Sequence, residues 1–492
     1  MYIFVLRCNI IKLNIMLITK TKLSGTTRLE HDLIGEKSIP NEYYFGIQTL
    51  RAIENFHISR VHLNLFPSFI KAFSIVKEAA AKANNQLGVL SKEKCEAIVM
   101  ACEEIKNGLL HEHFAVDMIQ GGAGTSTNMN ANEVIANRAL EFMGHKKGEY
   151  QYCHPNNDIN MSQSTNDAYP TAMRIALLLR TPEITQSLNW LIDAFKAKGE
   201  EFADVIKMGR TQLQDAVPMT LGQEFDAYAA TLAEEITRIE HNAKLFLEVN
   251  MGATAIGTGI NSDPSYTPLC INHLREITGM PIVAANNMIE ATNDTGAFIM
   301  YSSAVKRLAV KLSKISNDLR LLSSGPRAGF NEINLPPMQP GSTIMPGKVN
   351  PVIPEVINQI AFRVIGNDLT ITMAAEAGQL ELNAMEPIIV HSLFESIEML
   401  VNGMNTLRDK CIIGITANKE YCKQQVYNSI GLVTALNPYL GYEVSTELAK
   451  EALAKNKGVY DLVLEKGLMS KNELDKILEP ANMIKPHRLR LV

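Results

Sequence analysis

The stretch LGQEFDAYAATLAEEITRI occupies residues 221–239 and places apolar side chains at steps of three and four. A second stretch, residues 308–322, has the same spacing. Steps averaging about 3.5 residues are typical of the seam along which helices pack. The pattern therefore predicts two long helices in a bundle, with seams formed by Leu221, Phe225, Tyr228, Leu232, Ile236 and Ile239, and by Leu308, Leu312, Ile315, Leu319 and Leu322.

Helical periodicity also extends to both sides of these stretches. Amphipathic helices are predicted at 67–87 and 91–109, where Gly88 suits a helix end and Ser91 suits an N-cap. Further long helices are predicted from about Tyr169, at 353–380 and at 387–410. No strand-like alternation of any length is visible. The predicted fold class is therefore all-α, with a central bundle of long helices.

Changes in composition suggest four segments of the chain. Residues 1–24 form an N-terminal extension, 25–162 an N-terminal helical domain and 163–416 the central long-helix bundle domain. After Gly414 the segments become shorter, and Asn437-Pro438 and Gly441 interrupt them. Residues 417–492 are therefore predicted to form a small C-terminal helical domain.

The composition excludes several classes of protein. The chain has 492 residues, of which 46% are hydrophobic and 20% charged, as expected of a globular protein. A net charge of -5, with both signs interleaved, gives no basic nucleic-acid surface. The seven cysteines are scattered and form no Cys-x-x-Cys pair, which favours reduced thiols in the cytoplasm. His111 and His113 are two apart and would not share a helix face, which disfavours a metal site there.

Residues 1–24 are apolar and basic and contain no acidic residue. Arg7, Asn9, Lys12 and Asn14 interrupt the apolar run too often for a membrane span. No small-x-small cleavage site follows, which disfavours a secretory signal. We interpret the segment as a nonessential extension with Met16 as a candidate start, and an organelle transit peptide is the alternative. The predicted location is cytoplasmic.

The stretch GSTIMPGKVNP, residues 341–351, contains two glycines and two prolines and is predicted to be an ordered loop. Its backbone N–H groups, the ammonium of Lys348 and the amide of Asn350 suit an anion. The hydroxyl of Ser342 could act as a base if its proton became easier to remove. A surface linker is the alternative interpretation.

Other polar clusters lie far from this loop in sequence. Thr125 and Asn128 follow a glycine-rich run, and Ser164, Thr165 and Asn166 precede a long helix. Such hydroxyls commonly cap helices, although a helix N-terminus also binds anions. A further polar segment surrounds residues 209–212, where a proline at 218 breaks the helical pattern. The clusters share hydroxyl, amide and cationic donors, which suit a small dicarboxylate.

The loop at 341–351 resembles the signature Gly-Ser-Ser-x-Met-Pro-x-Lys-x-Asn-Pro of the aspartase/fumarase superfamily. It matches every fixed position except one, where Thr343 replaces the second serine. The resemblance extends from about Arg28 to Lys485. It implies an all-α fold of three domains and a homotetramer with a twenty-helix core, in which loops from three subunits form each active site.

The resemblance also implies roles for individual residues in an anti elimination across a Cα–Cβ bond. Ser342 would be the general base that removes the Cβ proton and generates an aci-carboxylate. Lys348 and Asn350 would bind a substrate carboxylate. The carboxylate that takes up charge would be held by Thr125, Ser164, Thr165 and Thr343. Asn166 and Thr211 would orient the leaving group, and Gln212 would contact substrate beside Thr211.

Arg51 lies in the segment TLRAIENF, residues 49–56, which resembles an N-terminal segment that approaches the superfamily active site. Its guanidinium would then help to hold a carboxylate. A surface arginine on a helix is the alternative interpretation.

Two departures separate this chain from the fumarase pattern. Fumarases carry His-Pro-Asn-Asp and Gly-Arg-Thr-His, whereas this chain has Asn157 and Gln212 at the final positions. The segments KMGRTQL at 207–213 and AAEAGQL at 374–380 also resemble the ammonia-lyase branch, which converts L-aspartate to fumarate and ammonium. Alternatives are fumarate hydration or a non-catalytic structural role. A lyase for succinylated nitrogen substrates would need a histidine that is not found.

The resemblance also sets expectations for cofactors and partners. The chemistry requires no cofactor, although a divalent cation such as Mg²⁺ is a possible activator. No nucleic-acid or membrane partner is expected.

Overall fold

The computed structural model describes residues 21–484, so nearly all of the extension at 1–24 lies outside the described residues. The chain forms two compact units. Within the described residues, the first unit contains the chain up to Ile184, Arg238–Lys306 and Arg363–Glu398. The second contains Thr185–Thr237, Arg307–Phe362 and the chain from Met399 onward. The domain boundaries at 162/163 and 416/417 remain predictions.

The N-terminal part begins with a hairpin and continues as helices. Its elements are β1 (Thr27–Asp32), β2 (Gly35–Pro40), α1 (Ile47–Asn55), α2 (Pro67–Gln86), α3 (Lys92–Lys106) and α4 (Thr125–Phe142). The predicted N-cap of α3 is confirmed, because Ser91 Oγ accepts a hydrogen bond of 3.3 Å from Lys94 N.

The central part contains five long helices with short elements between them. In order these are α5 (Thr165–Glu201), β3 (Ile206–Thr211), β4 (Gln214–Thr220), α6 (Leu221–Ala243), β5 (Glu248–Val249), α7 (Tyr266–Thr278), β6 (Val283–Ala284), α8 (Met288–Asn293), α9 (Gly296–Leu322), β7 (Ile333–Asn334), α10 (Val352–Glu376), α11 (Glu386–Lys410) and β8 (Thr416–Ala417). All five members of the predicted α9 seam are buried.

Contacts within each unit confirm that the long helices pack as a bundle. In the second unit, the ring centroids of Phe195 of α5 and Phe225 of α6 lie 5.9 Å apart. In the first unit, Ser302 Oγ of α9 donates to Asp368 Oδ1 of α10 over 2.8 Å. The all-α fold class is therefore correct.

The expectation of no strands is wrong at two hairpins. β1 pairs with β2 from Thr27↔Pro40 to Asp32↔Gly35, and β3 pairs with β4 from Ile206↔Thr220 to Thr211↔Gln214. β3 shows no alternation because its first four residues are all buried, and a register shift interrupts the second ladder. The other ladders, β5 with β6 and β7 with β8, are two residues long.

The C-terminal segment is helical, as predicted. It comprises α12 (Lys419–Asn428), α13 (Val433–Leu440), α14 (Tyr442–Lys455), α15 (Val459–Glu465), α16 (Lys471–Ile477) and α17 (Pro480–Met483). Their apolar side chains form one core with Ile206 and Met208 of β3. The β3–β4 hairpin is thereby anchored to the C-terminal helices.

The six cysteines within the described residues are free and buried. Burial raises the pKa of Cys153 and of Cys422 to about 12, which keeps these thiols protonated at neutral pH. Among the helices of residues 21–484, none is both long enough and apolar enough to cross a membrane.

Candidate active site

The predicted loop at residues 341–351 is closed at its base by hydrogen bonds between its ends. Gly341 N donates to Lys348 O over 2.7 Å, and Asn350 Nδ2 donates to Gly341 O over 2.7 Å. A Cβ atom at Gly341 would lie 2.7 Å from both Lys348 O and Asn350 N, so a larger residue would force the base apart. The close approach therefore explains the glycine.

The hydroxyl of Ser342 lies inside a turn of the same loop. Its Oγ accepts backbone hydrogen bonds from Ile344 N over 3.2 Å and from Met345 N over 3.0 Å. Two N–H dipoles directed at one oxygen stabilise negative charge on it. The turn is therefore suited to a serine that gives up its proton.

A cavity of about 470 Å³ opens beside Ser342 and Lys348 and is lined on its other side by residues 337–340. Lys348 is exposed, and its ammonium forms no ion pair with any of the described residues. Asn350 differs, because its amide nitrogen closes the loop. Among the described residues, the loop thus offers an unpaired cation on the same cavity as Ser342.

Thr211 and Gln212 lie at the tip of the β3–β4 hairpin in the second unit. The tip is a two-residue turn in which Gln212 has φ 53° and Leu213 has φ 63°. Such turns favour Asn-Gly, because a left-handed conformation costs other residues about 1–2 kcal/mol each. Strained residues of this kind concentrate at functional sites. Sequence reasoning missed the hairpin because Gln-Leu gives no turn signal.

In the first unit, the start of α4 lies against α5. A Cβ atom at Gly124, which has φ 86°, would collide with the Tyr169 ring. Asn128 Nδ2, one turn along α4, donates to Thr165 Oγ1 over 3.2 Å. Thr125 Oγ1 is exposed and donates to Gly122 O over 2.7 Å. The structure therefore brings together two polar clusters that lie about 40 residues apart in sequence.

The carboxylate of Asp167 holds the residues just before it. It accepts backbone N–H groups from Ser164 over 2.9 Å, from Gly252 over 3.1 Å and from Thr254 over 3.0 Å. Burial raises the pKa of Asp167 to about 6. The side chain of Asn166 adds a hydrogen bond of 2.7 Å to Ala255 O, which leaves its amide oxygen available. Asp167 and the backbone at residues 252–255 therefore hold Ser164 and Asn166 in place.

Sequence reasoning missed two residues that contact this cluster, the buried Lys77 and the partly buried Asn160. Lys77 of α2 donates to Asn160 Oδ1 over 3.0 Å and to Gln163 Oε1 over 2.8 Å. Asn128 and Asn132 also donate to Asn160 Oδ1. Burial lowers the pKa of Lys77 to about 7. The available signal was a lysine on the buried face of an amphipathic helix.

The guanidinium of Arg51 is paired with a carboxylate of the same unit. Its Nε donates to Asp32 Oδ2 over 2.6 Å, and its Nη2 donates to Asp32 Oδ1 over 2.9 Å. This two-point pairing is what a carboxylate substrate would receive, but here a side chain of β1 occupies it. The geometry therefore matches the alternative of a structural arginine, and a substrate contact remains a prediction.

The candidate residues fall into two sets. The first unit carries Arg51, Thr125, Ser164, Thr165 and Asn166, and the second carries Thr211, Gln212, Ser342, Thr343, Lys348 and Asn350. Within residues 21–484, no group of three or more His, Cys, Asp or Glu side chains is placed to hold a metal ion.

Comparison with known proteins shows a resemblance over most of the chain. A family model described as Lyase matches residues 35–366, and one described as Fumarase C C-terminus matches residues 432–485. An aspartate ammonia-lyase from Pseudomonas canavaninivorans is 61% identical over 469 residues, which cover 95% of this chain and 99% of that protein. The chain belongs to the aspartate ammonia-lyases of the aspartase/fumarase superfamily.

Solved structures place the fold in the same superfamily. A fumarate lyase:delta crystallin from Brucella melitensis is 56% identical with a TM-score of 0.92, and the match covers 94% of this chain and all of that chain. A class II fumarase from Schistosoma mansoni has a TM-score of 0.88 over the same shares of the two chains but is 35% identical. The higher identity to aspartate ammonia-lyases agrees with the departures from the fumarase pattern at Asn157 and Gln212.

Proposed function

We propose that this protein reversibly deaminates L-aspartate to fumarate and ammonium by anti elimination, with Ser342 as the general base. The observation that supports this role is the pair of backbone N–H groups directed at Ser342 Oγ, which lines the same cavity as Lys348, a lysine with no ion pair among the described residues. Proton transfer by a positioned base contributes about 10²–10⁴ to a rate, provided that its charged form is stabilised.

In the proposed reaction, the Oγ of deprotonated Ser342 takes the Cβ proton, and the electrons of the C–H bond move into the adjacent carboxylate. The resulting aci-carboxylate carries added negative charge, which Thr125, Ser164, Thr165 and Thr343 would stabilise. The electrons then return to form the C=C bond as the C–N bond breaks. The nitrogen, protonated in the substrate, leaves as ammonia with the electron pair of the C–N bond. The proton that Ser342 took from Cβ converts ammonia to ammonium and restores the deprotonated serine.

The remaining residues would bind the substrate and orient the leaving group. Lys348 would pair with a substrate carboxylate, and Asn350 would contact it while holding the loop closed. Asn166, Thr211 and Gln212 would orient the amino group. Arg51 would join the carboxylate contacts only if it exchanged Asp32 for substrate.

The proposed chemistry uses no cofactor. A divalent cation such as Mg²⁺ enters only as a proposed activator, and no residues are assigned to it because the described residues offer no cluster for one. The proposed location is the cytoplasm, where a reducing environment suits the buried free thiols.

The test is to incubate the purified protein with L-aspartate and, separately, with L-malate, and to follow the absorbance of fumarate. We expect fumarate from aspartate only. Fumarate from malate only would establish the hydratase alternative. It would also show that Asn157 and Gln212 do not distinguish ammonia-lyases from fumarases. Fumarate from neither substrate would favour a non-catalytic structural role.

We also propose a homotetramer in which loops from three subunits meet at each site. The supporting feature is an apolar stripe on α10, formed by Phe362, Ile365, Leu369 and Met373. Phe362 and Met373 are each 65% exposed and Leu369 is 61% exposed. A continuous stripe of large apolar side chains on one helix is typical of a subunit interface.

Replacing Leu369 and Met373 together by glutamate is expected to dissociate the tetramer and remove most activity, because buried unpaired charges would separate the stripes. Light scattering measures the mass, and fumarate absorbance measures the activity. The matched control is Leu453→Glu on α14, where an apolar side chain is 69% exposed outside the stripe. A monomeric double variant with full activity would exclude a shared active site.

A further inference from the structure

Glu332 has a completely buried carboxylate that is paired with two cations of the β3–β4 hairpin. Its Oε1 lies 2.5 Å from Arg210 Nη1, and its Oε2 lies 2.8 Å from Lys207 Nζ. Both cations come from β3, and Arg210 is bonded directly to Thr211. The carboxylate therefore holds the strand at the residue that precedes the candidate leaving-group contacts.

The backbone of Glu332 is fixed independently of its side chain. Its N–H donates to Leu322 O at the end of α9, and its carbonyl accepts from Asn418 N, each over 2.9 Å. Because the main chain is held on both sides, the carboxylate cannot follow the hairpin if the hairpin moves. The ion pairs therefore transmit the position of this segment to β3.

Arg210 has further partners that fix its direction. Its guanidinium lies 4.3 Å from the centroid of the Phe330 ring, and its Nη2 donates to Gln425 Oε1 over 3.2 Å. A register shift between Met208 and Arg210 changes the direction of the strand just before the tip. The Arg210 side chain, which follows this shift, is thus held by the Glu332 carboxylate, the Phe330 ring and the Gln425 amide.

The strained tip explains why such support is needed. Two consecutive non-glycine residues with positive φ persist only when surrounding contacts determine the backbone. We propose that Glu332 is a positioning residue of the reaction, which holds Thr211 and Gln212 where they meet the amino group of the substrate. This inference rests on the proposed function, and it adds a residue that touches neither substrate nor reacting atoms.

The reaction in the direction of addition separates positioning from stability, because ammonium and fumarate have separate KM values. Glu332→Gln is expected to raise the KM for ammonium by about tenfold or more, since small displacements of orienting groups cost large factors. The KM for fumarate is expected to stay within about twofold, because Lys348 and Ser342 lie on a different loop.

Glu235→Gln is the matched control. Glu235 is also completely buried in the second unit, and its Oε1 lies 2.5 Å from Lys311 Nζ and 3.3 Å from Arg307 Nη2. The two substitutions remove the same charge from equally buried sites that each pair with one lysine and one arginine. We expect Glu235→Gln to lower the thermal midpoint while leaving both KM values unchanged.

A second variant covers the case in which Glu332→Gln does not fold. Glu332→Asp keeps the charge and shortens the side chain by one methylene, and it is expected to raise the KM for ammonium selectively. The double variant Glu332→Gln, Thr211→Val is expected to have the same KM for ammonium as Thr211→Val alone, because the two residues act as a unit.

The outcomes distinguish the two proposals. A folded Glu332→Gln variant whose KM for ammonium is unchanged, or whose two KM values rise equally, would overturn the positioning role. Additive effects in the double variant would overturn it too. A wild-type protein that forms no fumarate from L-aspartate would instead refute the proposed function.

Discussion

Ser342→Ala is expected to lower kcat for fumarate formation from L-aspartate by about 10³-fold or more, near the upper end of what general-base catalysis contributes. Alanine keeps the loop length but removes the oxygen that accepts hydrogen bonds from Ile344 N and Met345 N. Those two N–H groups point into a turn and would find water instead. Binding of substrate should therefore change much less than the rate.

Steady-state kinetics and inhibition by succinate, a dicarboxylate that cannot eliminate ammonia, measure the two effects separately. We expect the inhibition constant of succinate to remain within about threefold of wild type, since Lys348 is retained. Ser323→Ala is the control, because this hydroxyl of the second unit donates only to backbone carbonyls of the preceding helix, those of Leu319 and Arg320. Normal turnover by Ser342→Ala would remove Ser342 as the base.

Lys348→Ala is expected to raise the KM for L-aspartate by about 100-fold, because a bound carboxylate would lose a charge-assisted hydrogen bond. The ammonium of Lys348 is exposed beside the cavity next to Ser342 and has no ion pair among the described residues, so it is available to substrate. The loop should survive the change, since Lys348 contributes its backbone carbonyl to the base.

Lys419→Ala provides the comparison for this variant. Lys419 is also an exposed lysine of the second unit, but it pairs with Asp204 at 3.3 Å, and surface pairs of this kind contribute little. Its kinetics should match those of the wild type. A Lys348→Ala variant with an unchanged KM would refute the proposed carboxylate contact, and a variant with impaired kcat alone would move Lys348 to a role in the chemical step.

The long helices could be predicted because their apolar residues repeat at a helical period. The seam from Leu308 to Leu322 is buried throughout, as the steps of three and four indicated. The loop at 341–351 could also be predicted, because its glycines and prolines disfavour regular structure whatever the surroundings. Both elements can be predicted because the conformational preferences of their own residues determine their structure.

The two hairpins could not be predicted in this way. The tip of the β3–β4 hairpin carries Gln212 and Leu213 where local preference favours asparagine and glycine. The energy that holds this turn comes from Glu332, more than 100 residues away in sequence, and from the C-terminal core around Met208. Tertiary contacts override local preference here, and one sequence does not reveal them.

The buried charges were missed for the same reason. The sequence shows Lys77 only as a residue of an amphipathic helix. Its partners Asn160 and Gln163 lie more than 80 residues further along the chain, so the sequence does not connect them with it. The helical period places Lys77 on the buried face of its helix, but one sequence does not reveal the partners that the fold brings to a buried lysine or glutamate.

The reaction rates of the buried thiols can report local opening of the structure around them. A thiol shielded from solvent reacts with an alkylating reagent only while its surroundings are open, so its labelling rate reports the free energy of that opening. Cys422 is completely buried, and its Sγ lies 3.6 Å from Glu332 O, whereas Cys270 is buried in the first unit. The ratio of their labelling rates would therefore compare how often the segment around Glu332 opens with how often the surroundings of Cys270 in the first unit open.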